Sequence, residues 1–193
     1  MKKMYVIGLL ILVSLLSGCT SYEHVITDTA FNYGYSKFYN EAFVGEYRWD
    51  GTEAGMQLSI PDSYDTYPIT SLGGYFGSGV PTPFRIKFPD SYGVTGRTSI
   101  EPDDYPSFYE NGYEKITLTF YVSLGIYLKE AKNVTFEYYT SENEDLSITL
   151  YKVYYYFEVD SNNPYIYAKD GKLYNIETDE LLEGLYYEDN LGN

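Results

Sequence analysis

A hydrolytic serine or cysteine needs an imidazole within reach to take its proton. This chain offers one histidine, His24, and one cysteine, Cys19, both near the start of a 193-residue sequence. Neither a Cys/His zinc cluster nor an internal disulfide can be built from that pair. Acids are plentiful: 28 Asp and Glu against 13 Lys and Arg give a net charge of −15. Two carboxylates could hydrolyse a glycosidic bond, but no spacing singles out a pair. Gly73, Gly74, Gly77 and Gly79 lack the spacing and the following Lys of a phosphate loop, so they read as turn residues. Asp160-Ser161-Asn162 begins like a calcium loop and is broken by Pro164. The sequence thus names no catalytic residue, no cofactor and no metal site. What stands out instead is 26 tyrosines. Their flat rings with polar tips suit recognition of a protein or a sugar.

Cys19 has its own context. Lys2 and Lys3 precede an uncharged, mostly apolar run from Met4 to Leu16, shorter than the roughly 20 residues a spanning helix needs. Leu16-Ser17-Gly18-Cys19 follows. This order resembles the lipobox signal of bacterial lipoproteins. The resemblance implies that Leu16, Ser17 and Gly18 are read by the signal peptidase and that residues 1–18 are removed. It also implies a diacylglyceryl group on the Cys19 thiol, so that the chain is anchored at the extracytoplasmic face of a bacterial cell membrane. Two or more acyl chains hold stably, each buried CH₂ contributing about 0.8 kcal/mol. Without Lys2 and Lys3 the basic residues fall to 11 against 28 acidic ones, a net charge of −17. Such a body repels phosphate backbones, so no nucleic-acid partner is expected.

Residues 19–45 read as a tether, with His24 an ordinary tether residue. Phe31, Tyr33, Tyr35, Phe38, Tyr39 and Phe43 make its later part aromatic, and one short helix around Lys37 to Phe43 fits it. From residue 46 to 187 the pattern is strand and turn, followed by a tail at 188–193. Glu46–Asp50 and Met56–Ile60 alternate polar and apolar residues around Gly51–Gly55, and read as a hairpin with Met56, Leu58 and Ile60 facing a core. Trp49 is expected in the core or at its rim. Gly93–Gly112 reads as a long loop. Lys115–Val122 alternates with Ile116, Leu118, Phe120 and Val122 on one face. Val153–Val159 carries tyrosines on both faces, and Asp170-Gly171 marks a tight hairpin.

Leu58-Ser59-Ile60-Pro61-Asp62-Ser63-Tyr64 recurs as Ile86-Lys87-Phe88-Pro89-Asp90-Ser91-Tyr92. Each copy reads as a short strand ended by proline and followed by a corner. With Tyr67-Pro68-Ile69-Thr70-Ser71-Leu72-Gly73-Gly74-Tyr75-Phe76, and with Asn163-Pro164-Tyr165, Asp170-Gly171-Lys172-Leu173-Tyr174-Asn175 and Leu181-Leu182 in the tail, this resembles the bacterial BspA-type leucine-rich repeat. The matching stretches cover about half of residues 56–183. The resemblance implies a mainly β chain: a short, irregular leucine-rich-repeat-like solenoid with a C-terminal hairpin or meander cap. An antiparallel β-sandwich is the alternative. The expected function is surface recognition or adhesion, by binding an unidentified protein or glycan without turnover. The alternative is an extracytoplasmic, carboxylate-dependent enzyme acting on glycan or peptide.

Overall fold

The computed structural model describes residues 23–26, 30–76, 80–82, 84–98, 113–131, 137–140 and 148–182. The chain is mainly β. It opens as an antiparallel meander of β1 (Glu23–Ile26), β2 (Phe31–Ser36) and β3 (Glu41–Arg48). It crosses to a second sheet for β4 (Gln57–Ser59) and returns through β5 (Ser63–Tyr64) to β6 (Tyr67–Leu72), which lies parallel to β3. A small hairpin comes next, β7 (Gly74–Phe76) and β8 (Val80–Thr82). β9 (Arg85–Lys87) pairs in parallel with the far end of β3. β10 (Val94–Thr98) and the long β11 (Tyr113–Leu124) join the second sheet, and β12 (Glu130–Ala131) joins the first beside β6. β13 (Glu137–Thr140) and β14 (Ile148–Val159) complete the second sheet. β15 (Ile166–Lys169) and β16 (Lys172–Asn175) form a closing hairpin.

Two parallel stacks form its centre. In the first sheet β3, β6 and β12 lie side by side; in the second, β4, β11 and β14 do. The chain alternates between the stacks from β3 to β4, from β6 to β11 and from β12 to β14. Register makes side-chain rows across each stack. Leu58, Val122 and Phe157 align in the second sheet, and Val44, Leu72 and Ala131 in the first. All six are buried in one apolar core shared by both sheets. The ladders run on into the corners: Ile60 N–H donates to Ser123 O at 2.9 Å, Asp160 N–H to Leu124 O at 2.9 Å, and Lys129 N–H to Thr70 O at 2.7 Å. These bonds satisfy backbone groups at the corners, as burial requires.

Period-two patterning explains the faces. Leu58 and Ile60 are buried, as are Phe120, Val122, Val153, Tyr155 and Phe157, while Met56, Ile116 and Leu118 are half-buried. Trp49 is core: its ring meets Phe88 at 5.4 Å and Phe120 at 5.5 Å, edge to face in both cases. Asp170-Gly171 makes the expected tight turn, with φ of 54° and 74°. The crossover from β3 to β4 is clamped by aromatic donors. Tyr47 Oη donates to Gly55 O at 2.8 Å, Trp49 Nε1 to Thr52 O at 2.8 Å, and Tyr92 Oη to Gly51 O at 3.2 Å.

Several expectations change. The segment read as tether holds β1, β2 and β3; Tyr33, Ala42, Phe43 and Val44 are buried, because an aromatic stretch with alternation builds sheet. Where a helix was expected around Lys37 to Phe43, Lys37–Asn40 is a hairpin turn and the strand Glu41–Arg48 begins, since Phe43, Val44 and Tyr47 fit a pleat. The strands around Gly51–Gly55 go to opposite sheets, so they are not a hairpin. The loop expected over 93–112 contains β10. The two Pro-Asp-Ser-Tyr copies each come after a short strand, yet β4 pairs with β11 and β9 with β3, so the copies are not neighbours in one stack. Leu16, Ser17, Gly18, Cys19 and the tail at 188–193 lie outside the described residues.

Candidate functional site

The outer face of the second sheet is built by the residues that alternate with the core rows. β11 presents Thr117, Thr119, Tyr121 and Ser123; β14 presents Lys152, Tyr154, Tyr156 and Glu158; β4 adds Gln57 and Ser59. Register sets Gln57, Tyr121 and Tyr156 in one row and Ser59, Ser123 and Glu158 in another. The Tyr121 and Tyr156 rings lie 5.5 Å apart at 45°, and Tyr121 is 43% exposed. Lys152 Nζ stands 5.5 Å from the Tyr154 ring centre, a cation–π distance.

Tyr156 is packed against the closing hairpin. Gly171 O accepts from Phe157 N–H at 2.9 Å, and the Gly171 backbone packs against the Tyr156 ring where a side chain would collide. Glycine serves twice there, for its positive φ and for this close approach. A pre-placed ring loses little freedom on binding.

At the carboxyl ends of β4, β11 and β14 the same face meets an open groove of about 520 Å³. Its polar lining comes from Ser59, Asp62, Ser123, Glu158 and Asp160, with Pro61 and Ile60 beside them. Two of the carboxylates already serve turns. Asp62 Oδ1 accepts from Ile126 N–H at 3.3 Å, and Asp160 Oδ1 accepts from Asn162 N–H at 2.8 Å and Asn162 Nδ2 at 2.9 Å. Among the described residues no group of three or more His, Cys, Asp and Glu is arranged to hold a metal ion. The groove can offer hydroxyl and carboxylate acceptors to donors such as sugar hydroxyls or basic side chains.

Asn163 fixes Gly125, one of the residues that line the groove. Its buried amide Nδ2 donates to Gly125 O at 2.8 Å and Leu128 O at 3.0 Å, while Oδ1 accepts from Tyr165 and Ile166 N–H. One side chain thus ties two corners together. The aborted calcium-like run at Asp160 is a turn that delivers this asparagine.

His24 sits in β1 opposite Gly34, in strand pairing with β2. The alternation over 116–122 marks Tyr121 as outward, but its pairing with Tyr156 depends on β11–β14 register, which sequence does not carry. Set against protein-family models, curated proteins and solved structures, the chain matches none.

Proposed function

We propose that this chain is a lipid-anchored extracytoplasmic recognition protein. It binds a neutral glycan, or a neutral or basic protein surface, through the tyrosine rows on the outer face of the second sheet. The observation that carries it is the Tyr121–Tyr156 ring pair on the outer face of the second sheet, with Tyr121 exposed to solvent. Flat aromatics beside hydroxyls and carboxylates suit both partner types. The −15 charge disfavours a polyanion. Attachment through Cys19, after recognition of Leu16, Ser17 and Gly18, is part of the same proposal.

So is the finer architecture, a short leucine-rich-repeat-like solenoid with three coils: β3–β4, β6–β11 and β12–β14. The sheet-to-sheet alternation and the two parallel stacks favour it over an antiparallel sandwich. Its coils would be set by Leu58, Val122 and Phe157 rather than by the Pro-Asp-Ser-Tyr copies.

Glycan and protein arrays probed with the full chain and with Tyr121→Ser/Tyr156→Ser test the binding face. Specific signals lost in the double variant are expected; signals unchanged by it would reject the face. Turnover of generic glycosidase or peptidase substrates, abolished at Asp62, Glu158 or Asp160, would replace binding by catalysis at the groove. Intact mass of the cell-derived protein against Cys19→Ser tests the anchor.

A further inference from the structure

We propose that one lateral side of this protein rests on a zwitterionic bilayer surface, with Phe38, Tyr39, Tyr127, Tyr165 and Ile176 at the interface. This rests on the lipid anchor proposed at Cys19 and goes beyond it by giving the anchored domain an orientation.

Topology brings these residues to one side. The turn at 37–40 leads into the start of β3. β6 and β12 run parallel to β3, so their starts lie at the same side, a strand spacing of about 4.8 Å apart. The turn at 125–129 delivers the chain to β12 and is therefore there too. The 160–165 segment is clipped to that turn by Asn163, and Ile176 N–H donates to Tyr165 O at 2.9 Å. The exposures are large: Phe38 71%, Tyr39 50%, Tyr127 44%, Tyr165 41% and Ile176 47%.

The anchor emerges at this side as well. β1 runs antiparallel to β2 with Glu23 opposite Tyr35, so the start of β1 lies beside the 37–40 turn. Cys19 is four positions before Glu23. Four residues span at most about 14 Å, so a bilayer holding the acyl chains lies close to these rings. Tethering makes each contact effectively intramolecular, so weak contacts suffice.

The chemistry fits the headgroup level. Tyrosine favours the membrane–water boundary, where its ring is shielded and its hydroxyl stays wet. Lys37 Nζ lies 5.7 Å from the Tyr35 ring centre and Lys129 Nζ 5.0 Å from that of Tyr165, placing ammonium groups beside the rings. Asp62 and Asp160 stand on the same side, and the whole body is acidic. An anionic surface would repel it, so the lipid that fits is zwitterionic.

The test uses the acylated chain in phosphatidylcholine vesicles. Cys19 is consumed by its thioether, so Tyr39→Cys, Tyr127→Cys and, as reference, Glu53→Cys each carry one nitroxide. Glu53 is exposed in the crossover beyond the other end of β3. Labels at 39 and 127 are expected to be relaxed by oxygen and shielded from an aqueous nickel relaxer, the label at 53 the reverse. The shielding should weaken in vesicles containing phosphatidylglycerol, and at 127 in Phe38→Ser/Tyr39→Ser. Labels at 39 and 127 as water-exposed as that at 53, in protein whose mass includes the acyl groups, would overturn the orientation and leave the anchor standing. A mass without acyl groups would overturn both.

Discussion

Phe43 is enclosed so closely that its neighbours must lack side chains. Its ring covers the α-carbons of Gly34 on β2 and Gly74 on β7, and a methyl group at either would overlap it. Gly34→Ala should therefore lower stability by about 1–3 kcal/mol, the range for overpacking a tight core, seen as a lower urea midpoint. Nearby, buried Glu46 is satisfied on both oxygens, by Asn32 Nδ2 at 2.7 Å and Arg85 Nε at 2.6 Å. Asp50 shows a local effect at an exposed site. The Thr52 N–H at 2.9 Å and then the Thr52 hydroxyl at 2.8 Å donate to its Oδ1 and hold its carboxyl below the ordinary value. A depressed carboxylate adds stability above its unfolded pKa and loses it as pH falls through the folded one. Thr52→Val should move the Asp50 midpoint upward in an NMR titration, though not fully to the ordinary value, since the backbone N–H remains.

β9 is three residues long, and its worth lies in the aromatic side chain just beyond its end. Phe88 packs on Trp49 at 5.4 Å and on Tyr151 of β14 at 5.3 Å, joining both sheets. Phe88→Ala should cost about 3–5 kcal/mol, whereas Asp90→Ala, an exposed turn position, should move the urea midpoint little. The Phe88 position was legible because apolar–polar–apolar triplets before proline mark one face of a strand. So were the inward rows of β11 and β14, and the Asp170-Gly171 turn. Partnership was not legible. Identical Pro-Asp-Ser-Tyr segments end strands in different sheets, because four residues fix a corner but say nothing about which strand lies alongside. For the same reason Glu46–Asp50 and Met56–Ile60 looked like a hairpin: alternation specifies a face and leaves the neighbour open. The candidate site divides likewise. Tyrosine richness pointed to a recognition face, while the pairing of Tyr121 with Tyr156, the packing of Gly171 on Tyr156 and the bond of Asn163 to Gly125 come from contacts distant in sequence.

For the molecule as a whole, the packing of tyrosines sets an upper pH limit. Burial, then Asp50, raises the Tyr47 phenol above its ordinary value; burial, then Tyr92 and Glu114, raises that of Tyr151. The stability this represents is complete below the unfolded tyrosine value near 10 and is lost as pH rises through the folded one. A urea midpoint that falls above about pH 10, and falls less in Tyr151→Phe, is the expected outcome. The pairing of β1 with β2 has a mechanical side. Were the chain held through Cys19 as proposed, drag would enter at Glu23, and its component along the strand would load β1 lengthwise against β2. The four residue pairs from Glu23↔Tyr35 to Ile26↔Asn32 then share the load in shear instead of opening one after another. Stretched along β1 between Glu23 and a handle at the opposite end of the strand axis, the protein should yield at higher force than when Glu23 is pulled across the sheet, where the same pairs would unzip in turn. The short first strand would then act as a latch, firm against a tug along the leash and weak against a sideways peel.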